Sequence, residues 1–170
     1  MRQLILMRHA KAERQAGSGH DRDRPLTERG RTDARLMARE LAQRGIRPDV
    51  VLVSSSTRTR ETWEEMAEAF GDVDLRVEAR LYNAEPETIR AFVEDLEDTA
   101  GVLLVLAHNP GIQLLAGDLL VESAASPAIL ERLEGGFPTG AAAVFQMDAA
   151  GRAAYDGFFT PKAFGGGAEG

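Results

Sequence analysis

The stretch Gly101-Val102-Leu103-Leu104-Val105-Leu106-Ala107-His108-Asn109-Pro110-Gly111 decides the fold. Six apolar residues run without interruption between a glycine and a histidine. A half-exposed strand alternates apolar and polar side chains; an unbroken run suits a strand buried on both faces, as in a parallel sheet. Behind it, Ile112, Leu115, Ala116 and Leu119 fall at i, i+3, i+4 and i+7. That is a helix period, and Pro110 suits a helix start. One window thus reads strand, tight turn, helix.

The same grammar extends in both directions. Gln3 to Met7 and Val50 to Val53 are shorter apolar runs. Between them Ala34, Met37, Ala38 and Leu41 repeat the helix spacing, after Thr27 as N-cap and before Gly45. Trp63, Met66, Ala67 and Phe70 repeat it again, as do Ile89, Phe92, Val93 and Leu96 behind Pro86. These are core faces. Strands alternating with amphipathic helices mean βαβ units, hence a mainly parallel sheet inside a three-layer α/β/α sandwich. After a helix from Ser126 to Leu133, Ala141–Met147 and Ala153–Phe159 read as antiparallel edge strands, paired as a hairpin around Asp148–Gly151. One domain is expected over residues 1–162, with a flexible glycine-rich tail at 163–170.

Composition narrows the function. At 170 residues the chain is long enough to bury a core of its own. It has no cysteine, which excludes disulfides, thiolate zinc sites and thiol nucleophiles. A net charge of -7 argues against a nucleic-acid partner. The Leu4–Met7 run is too short for a signal-peptide core or a membrane span, so cytoplasm is the default location and no membrane partner is expected. The charge is lopsided: residues 1–60 carry 14 basic against 7 acidic side chains, and the remainder 6 against 20.

In an open α/β sheet, ligands bind beyond the carboxyl ends of the strands. Arg8-His9 follow the first run, Ser54-Ser55-Ser56-Thr57-Arg58 the second, and His108-Asn109-Pro110-Gly111 the third. Two of the three histidines therefore stand at strand ends with two arginines. Arginine forks match phosphate oxygens, helix N-termini attract anions, and a histidine in that field can serve as base or nucleophile. No metal site is expected: no two histidines stand at i, i+4, and Asp49, Asp72 and Asp74 form no carboxylate cluster. No nucleotide loop is expected either, because no Lys-Ser/Thr follows Gly135-Gly136.

These residues resemble a family. Leu6-Met7-Arg8-His9-Ala10 is similar to the Arg-His-Gly signature of the histidine phosphatase superfamily, the phosphoglycerate-mutase-like fold. Ser54 through Thr62 resembles its second element and Ala107-His108-Asn109-Pro110-Gly111 its third. Arg24-Pro25-Leu26-Thr27-Glu28-Arg29-Gly30 and Pro138-Thr139-Gly140 resemble the short, SixA-type phosphohistidine phosphatase branch, and the likeness runs to about Lys162.

The resemblance implies that His9 attacks phosphorus and is transiently phosphorylated, while Arg8, Arg58 and His108 hold the phosphoryl oxygens. Ser55 or Ser56 adds contacts. Spacing to Thr62 selects Arg58 over Arg60. No cofactor is implied. The chain departs from the family at Ala10, where glycine is general, and it lacks room for the insertion that carries a proton-donating acid in larger branches. Glu85, Asp21 and Glu13 are the candidate acids. The implied substrate is a phosphorylated protein, foremost one bearing phosphohistidine. A small phosphate ester and a non-catalytic phosphoprotein-binding module are the alternatives. Outside the pocket, Arg31, Arg35 and Arg39 form a stripe that is either a partner surface or a solvated helix face. Tyr82-Asn83-Ala84 is a candidate pocket wall, and His20 reads as a surface residue.

Overall fold

A computed structural model describes residues 1–167. In chain order the elements are β1 (Gln3–Arg8), α1 (Glu28–Gln43), β2 (Val50–Ser54), α2 (Thr57–Met66), β3 (Asp74–Glu78), α3 (Pro86–Asp95), β4 (Val102–Ala107), α4 (Gly111–Glu122), α5 (Pro127–Glu134), β5 (Ala142–Met147) and β6 (Ala153–Phe159). The strands form one sheet in the order β3-β2-β4-β1-β5-β6. β3, β2, β4 and β1 run parallel, while β5 and β6 are antiparallel.

The unbroken run of β4 is buried at every position, and its place explains why. It lies between β1 and β2, with helices above and below. Leu103 and Val105 join a core with Ile89 and Val93 of α3 and with Ile112 and Leu115 of α4. Val102, Leu104 and Leu106 face the other way, into a core with Met37 and Leu41 of α1 and Trp63 of α2. Each fully buried Leu or Val contributes roughly 1.5–3 kcal/mol, so β4 is the best-anchored element of the sheet.

Both antiparallel strands lie on one side of the sheet, with β5 internal between β1 and β6. The opposite edge is β3, a strand the sequence did not announce. Its residues Asp74 to Arg76 are exposed and alternate charge with apolar side chains, so no buried face marks them.

Thr27 caps α1 by accepting from Gly30 N–H at 2.9 Å. Gly30 is needed for a second reason: a Cβ there would stand 2.1 Å from Lys11 O. The first turn of α1 therefore lies directly on the loop that follows His9. Gly30→Ala forces that backbone apart and is expected to lower stability by about 1–3 kcal/mol, the usual cost of overpacking. Chemical denaturation measures it; an unchanged midpoint contradicts the packing.

Of the 163–170 segment, Phe164 and Gly167 are tied to the fold. Phe164 stacks on Phe159 at 6.1 Å, and Gly167 N–H donates to Asp33 at 3.0 Å. Residues 168–170 lie outside the described residues. No helix among the described residues is long and apolar enough to cross a membrane.

The arginine stripe of α1 is partly committed within the fold. Arg31 pairs with Glu61 at 3.0 Å and Glu65 at 3.3 Å, and Arg35 pairs with Glu65 as well. The basic first third thus closes onto the first acids of the remainder, across the α1–α2 contact. Arg39 is exposed and forms no ion pair among the described residues.

Candidate active site

Because β2, β4 and β1 are neighbours in the sheet, their carboxyl ends meet. This brings together Arg8, His9, Arg58 and His108 from strand ends separated widely in sequence. The His9 and His108 rings lie 5.4 Å apart, and both residues are buried.

His9 is oriented by its own backbone neighbour. Its Nδ1 lies 2.7 Å from Ala10 O, and a carbonyl only accepts, so Nδ1 carries the proton. The lone pair is left on Nε2. Ala10, buried completely, is tied to α2 in turn: its N–H donates to Thr62 Oγ1 at 3.0 Å, and that hydroxyl donates to Arg58 O at 2.7 Å. One threonine therefore registers the His9 turn against the Arg58 helix.

His108 is held by a residue the sequence did not single out. Ser54 Oγ, fully buried, stands 2.7 Å from His108 Nε2. The other ring nitrogen, Nδ1, is buried with no hydrogen-bond partner among the described residues. The three consecutive serines have separate tasks. Ser54 meets His108, Ser55 Oγ accepts from Arg22, and Ser56 caps α2 by accepting from Thr59 N–H. Ser55 is partly buried and faces the loop rather than the histidines.

The side chain of Arg58 is only 5% exposed, and Asp21 occupies its fork. NH1 donates to Asp21 O at 2.9 Å and NH2 to Asp21 Oδ2 at 3.1 Å. The Tyr82 hydroxyl donates to the same carboxylate oxygen, and the tyrosine ring stands edge-on to His108 at 5.5 Å. Tyr82 is therefore a wall of the site. Arg60 is exposed and donates from Nε to Ser55 O, away from the cluster. Arg8 NH1 donates to Phe137 O at 3.0 Å, and its Nε is buried without a partner among the described residues.

The candidate acids sit differently. The hydrogen bond from Tyr82, with Arg58 and Arg24 nearby, holds the Asp21 carboxyl well down, to about 2. It is a carboxylate at neutral pH. Glu85 is exposed at the N-cap of α3, and its side chain makes no capping bond. It follows the segment that lies on the His108 turn, where a Cβ on Gly111 would stand 2.2 Å from Ala84 O. Glu13 is exposed, with its carbonyl accepting from Arg24; His20 is exposed too.

Both site histidines are neutral at pH 7. Burial, reinforced by His108 and the two arginines against the Ala10 bond, pushes His9 down to about 3. Burial and Arg58 push His108 down to about 4. An unfolded histidine titrates near 6.5, so between these values the unfolded chain takes up protons that the native chain refuses. Stability is complete above about pH 6.5 and is lost as pH falls towards about 4 and then about 3. On the order of 3 kcal/mol should be gone at about pH 5. Urea unfolding at the two pH values checks it, and equal midpoints contradict it.

The site presents two cations and a ring nitrogen around an unprotonated imidazole nitrogen. The cations disfavour one another: Arg58 and burial both lower the pKa of Arg8. Such a set favours an anion that arginine forks can grip, and a phosphoryl group fits.

Comparisons with known proteins agree with this geometry. The family model described as histidine phosphatase superfamily (branch 1) matches residues 4–88. An uncharacterised protein of Mycobacterium tuberculosis is 35% identical over 162 residues, 92% of this chain and 100% of that one. A structure assigned as phosphohistidine phosphatase SixA from Agrobacterium tumefaciens superposes with a TM-score of 0.83 at 29% identity, covering 94% of this chain and 98% of its own. The protein histidine phosphatase SixA complexed with tungstate superposes at 0.78 with 26% identity, covering 95% and 98%.

Proposed function

Since the chain belongs to the histidine phosphatase superfamily, in its SixA-type branch, we propose that it hydrolyses phosphoryl groups through a phosphohistidine formed on His9, acting on phosphohistidine in a protein. The observation that carries this reading is the Nδ1 bond to Ala10 O, which leaves Nε2 unprotonated beside Arg8 and Arg58.

In this reading His9 Nε2 forms a bond to phosphorus while the bond to the leaving nitrogen breaks. The electron pair returns to the substrate imidazole. If that ring enters as the phosphoryl-imidazolium it leaves neutral, so no carboxylic acid has to protonate it. Water then attacks the phosphoryl group, the N–P bond returns its pair to Nε2, and the water proton leaves with phosphate. Arg8 and Arg58 neutralise the equatorial oxygens as charge builds. No step calls for a metal or cofactor.

Two features support protein phosphohistidine over a small ester. The Asp21 carboxyl is ionised and engaged with Arg58, which suits it to positioning that arginine rather than donating a proton. The similar structures at TM-scores of 0.83 and 0.78 are a protein assigned as phosphohistidine phosphatase SixA and the protein histidine phosphatase SixA. Comparing kcat/KM for a phosphohistidine protein with that for a panel of sugar phosphates, nucleotides and aryl phosphates tests the choice. A preference for the small esters overturns it.

Ser54 has a defined part. By donating to Nε2 of a neutral His108, it keeps the ring proton on Nδ1, the tautomer able to donate to a phosphoryl oxygen. Ser54→Ala is expected to lower kcat/KM by about tenfold, as for loss of a buried hydrogen bond. Nitrogen NMR shifts of the His108 ring should report the altered tautomer. Unchanged shifts and rate contradict this role.

A further inference from the structure

Beside the His9 cluster, and sharing Arg8 with it, lies a cleft of about 760 Å³. It runs between the N-terminal turn of α1, the 135–139 loop before β5, and the 160–162 turn after β6. This is the same rim of the sheet, because β5 begins and β6 ends beside the carboxyl end of β1. The cleft is not the phosphoryl pocket: His9, Arg58 and His108 do not line it.

Its chemistry has three parts. Arg8, Arg29, Arg132 and Lys162 supply cations against Asp33 and Glu131. The buried acid is already used, since Asp33 accepts from Gly167 N–H at 3.0 Å with Arg29 Nε at 3.8 Å. Arg132 is also engaged, donating to Phe158 O and lying over the Phe158 ring. Arg29 and Lys162 are the cations left over; among the described residues Lys162 forms no ion pair, and Arg29 has only the long contact to Asp33. Among the described residues, five buried side-chain polar atoms lack a hydrogen-bond partner, and three of them, Arg8 Nε, Arg29 Nε and Asn109 Oδ1, are on residues that line this cleft. Buried polar groups are ordinarily satisfied, so this concentration marks a surface that takes a polar ligand. Phe137, Pro138, Phe158 and Pro161 add an apolar wall along which a chain can lie.

We propose that this cleft is a docking subsite for an acidic polypeptide segment flanking the phosphorylated residue, with Arg29 and Lys162 binding its carboxylates. The inference rests on a protein substrate, as argued above. A phosphorylated side chain held at His9 must bring its backbone over the rim, and the cleft opens from Arg8 along that rim. Its surplus of cations then selects segments rich in Asp and Glu, while the apolar wall favours an extended chain over a free anion.

The test is binding, independent of turnover. Anisotropy of a short labelled peptide alternating glutamate and alanine is measured near 0.15 M salt, where exposed charges beyond about 8 Å are screened. The intact protein should bind it about tenfold more tightly than the Arg29→Gln/Lys162→Gln variant, a difference of about 1.4 kcal/mol. Lys162→Gln alone, at an exposed site, should show part of the loss with no risk to folding. Arg39→Gln, exposed on α1 but outside the cleft, should bind as the intact protein does. Free glutamate at the same carboxylate concentration should not displace the peptide.

Equal binding by the cleft variants, equal weakening by Arg39→Gln, or displacement by free glutamate each overturns the subsite. Turnover of a phosphohistidine protein is scored separately. If Arg29 and Lys162 govern peptide binding yet no phosphohistidine protein is hydrolysed, the acidic-peptide site stands and the substrate reading falls. If such a protein is hydrolysed and the cleft variants bind unchanged, the reverse holds.

Discussion

Replacing His9 by alanine is expected to lower turnover by about 10⁴-fold or more, as loss of a covalent nucleophile does elsewhere. The arginines alone cannot substitute, because they stabilise charge without supplying an electron pair. The loss should appear in kcat for both a phosphohistidine protein and an aryl phosphate, since the N–P bond is common to both. His9 is buried at a strand end, so circular dichroism and a denaturation midpoint must accompany the assay. A folded variant that keeps most of its activity refutes the mechanism. A variant that fails only on protein substrates makes His9 a recognition group instead.

The second large effect is at Arg58. Arg58→Ala removes a buried guanidinium that Asp21 holds in the cluster and that the proposed mechanism sets against the phosphoryl oxygens, and it should cost about 10²–10³ in kcat/KM, the range for deleting one preorganised donor. Arg58→Lys should recover only part, because an ammonium is a point charge and cannot grip two oxygens in a plane. A second readout separates chemistry from structure. Arg58 lowers the pKa of both His9 and His108, so its removal should raise both. The acid limb of kcat/KM, which reports groups on the free enzyme, should then move to higher pH. A rate loss with no movement of that limb contradicts the electrostatic coupling. Asp21 and Tyr82 lose their partner in the same variant, so Asp21→Asn is the control: it leaves the Arg58 fork but weakens its anchor, and a smaller loss is expected.

Much of this was legible in the sequence, and the reasons differ by element. β4 and β1 announce themselves because burial on both faces demands continuous apolar runs. The helices do so because each presents one apolar stripe to the sheet. β3 was not legible, since an edge strand with wet faces carries no burial signal; Asp74-Leu75-Arg76-Val77-Glu78 is held by pairing with β2 alone. Arg8, His9, Arg58 and His108 could be gathered because the architecture fixes where strand ends go. The partner of His108 could not. Among Ser54, Ser55 and Ser56 the sequence offers three equal hydroxyls, and only the last residue of β2 has the register to reach the ring. Asp21 reads from the sequence as a candidate acid; Arg24 is a local partner, but the contacts from Arg58 and Tyr82 come from 37 and 61 residues away. The Tyr82 hydrogen bond does most to hold the carboxyl down, and a contact at that separation leaves no local pattern.

The lopsided charge takes on a different sense in the folded chain. Arg31 and Arg35 close onto Glu61 and Glu65, and Arg24 and Arg58 hold Asp21. Near the rim, Arg22 lies over the Tyr82 ring, and Arg8 and Arg29 line the cleft.

The most direct measurement is to trap the intermediate. The protein is mixed with a substrate carrying a labelled phosphoryl group, quenched in base during turnover, and mapped by proteolysis. The expected result is stoichiometric, base-stable and acid-labile label on the peptide containing His9, absent from the His9→Ala variant. Steady turnover with no label on that peptide, or label that persists when His9 is replaced, contradicts phosphoryl transfer to His9.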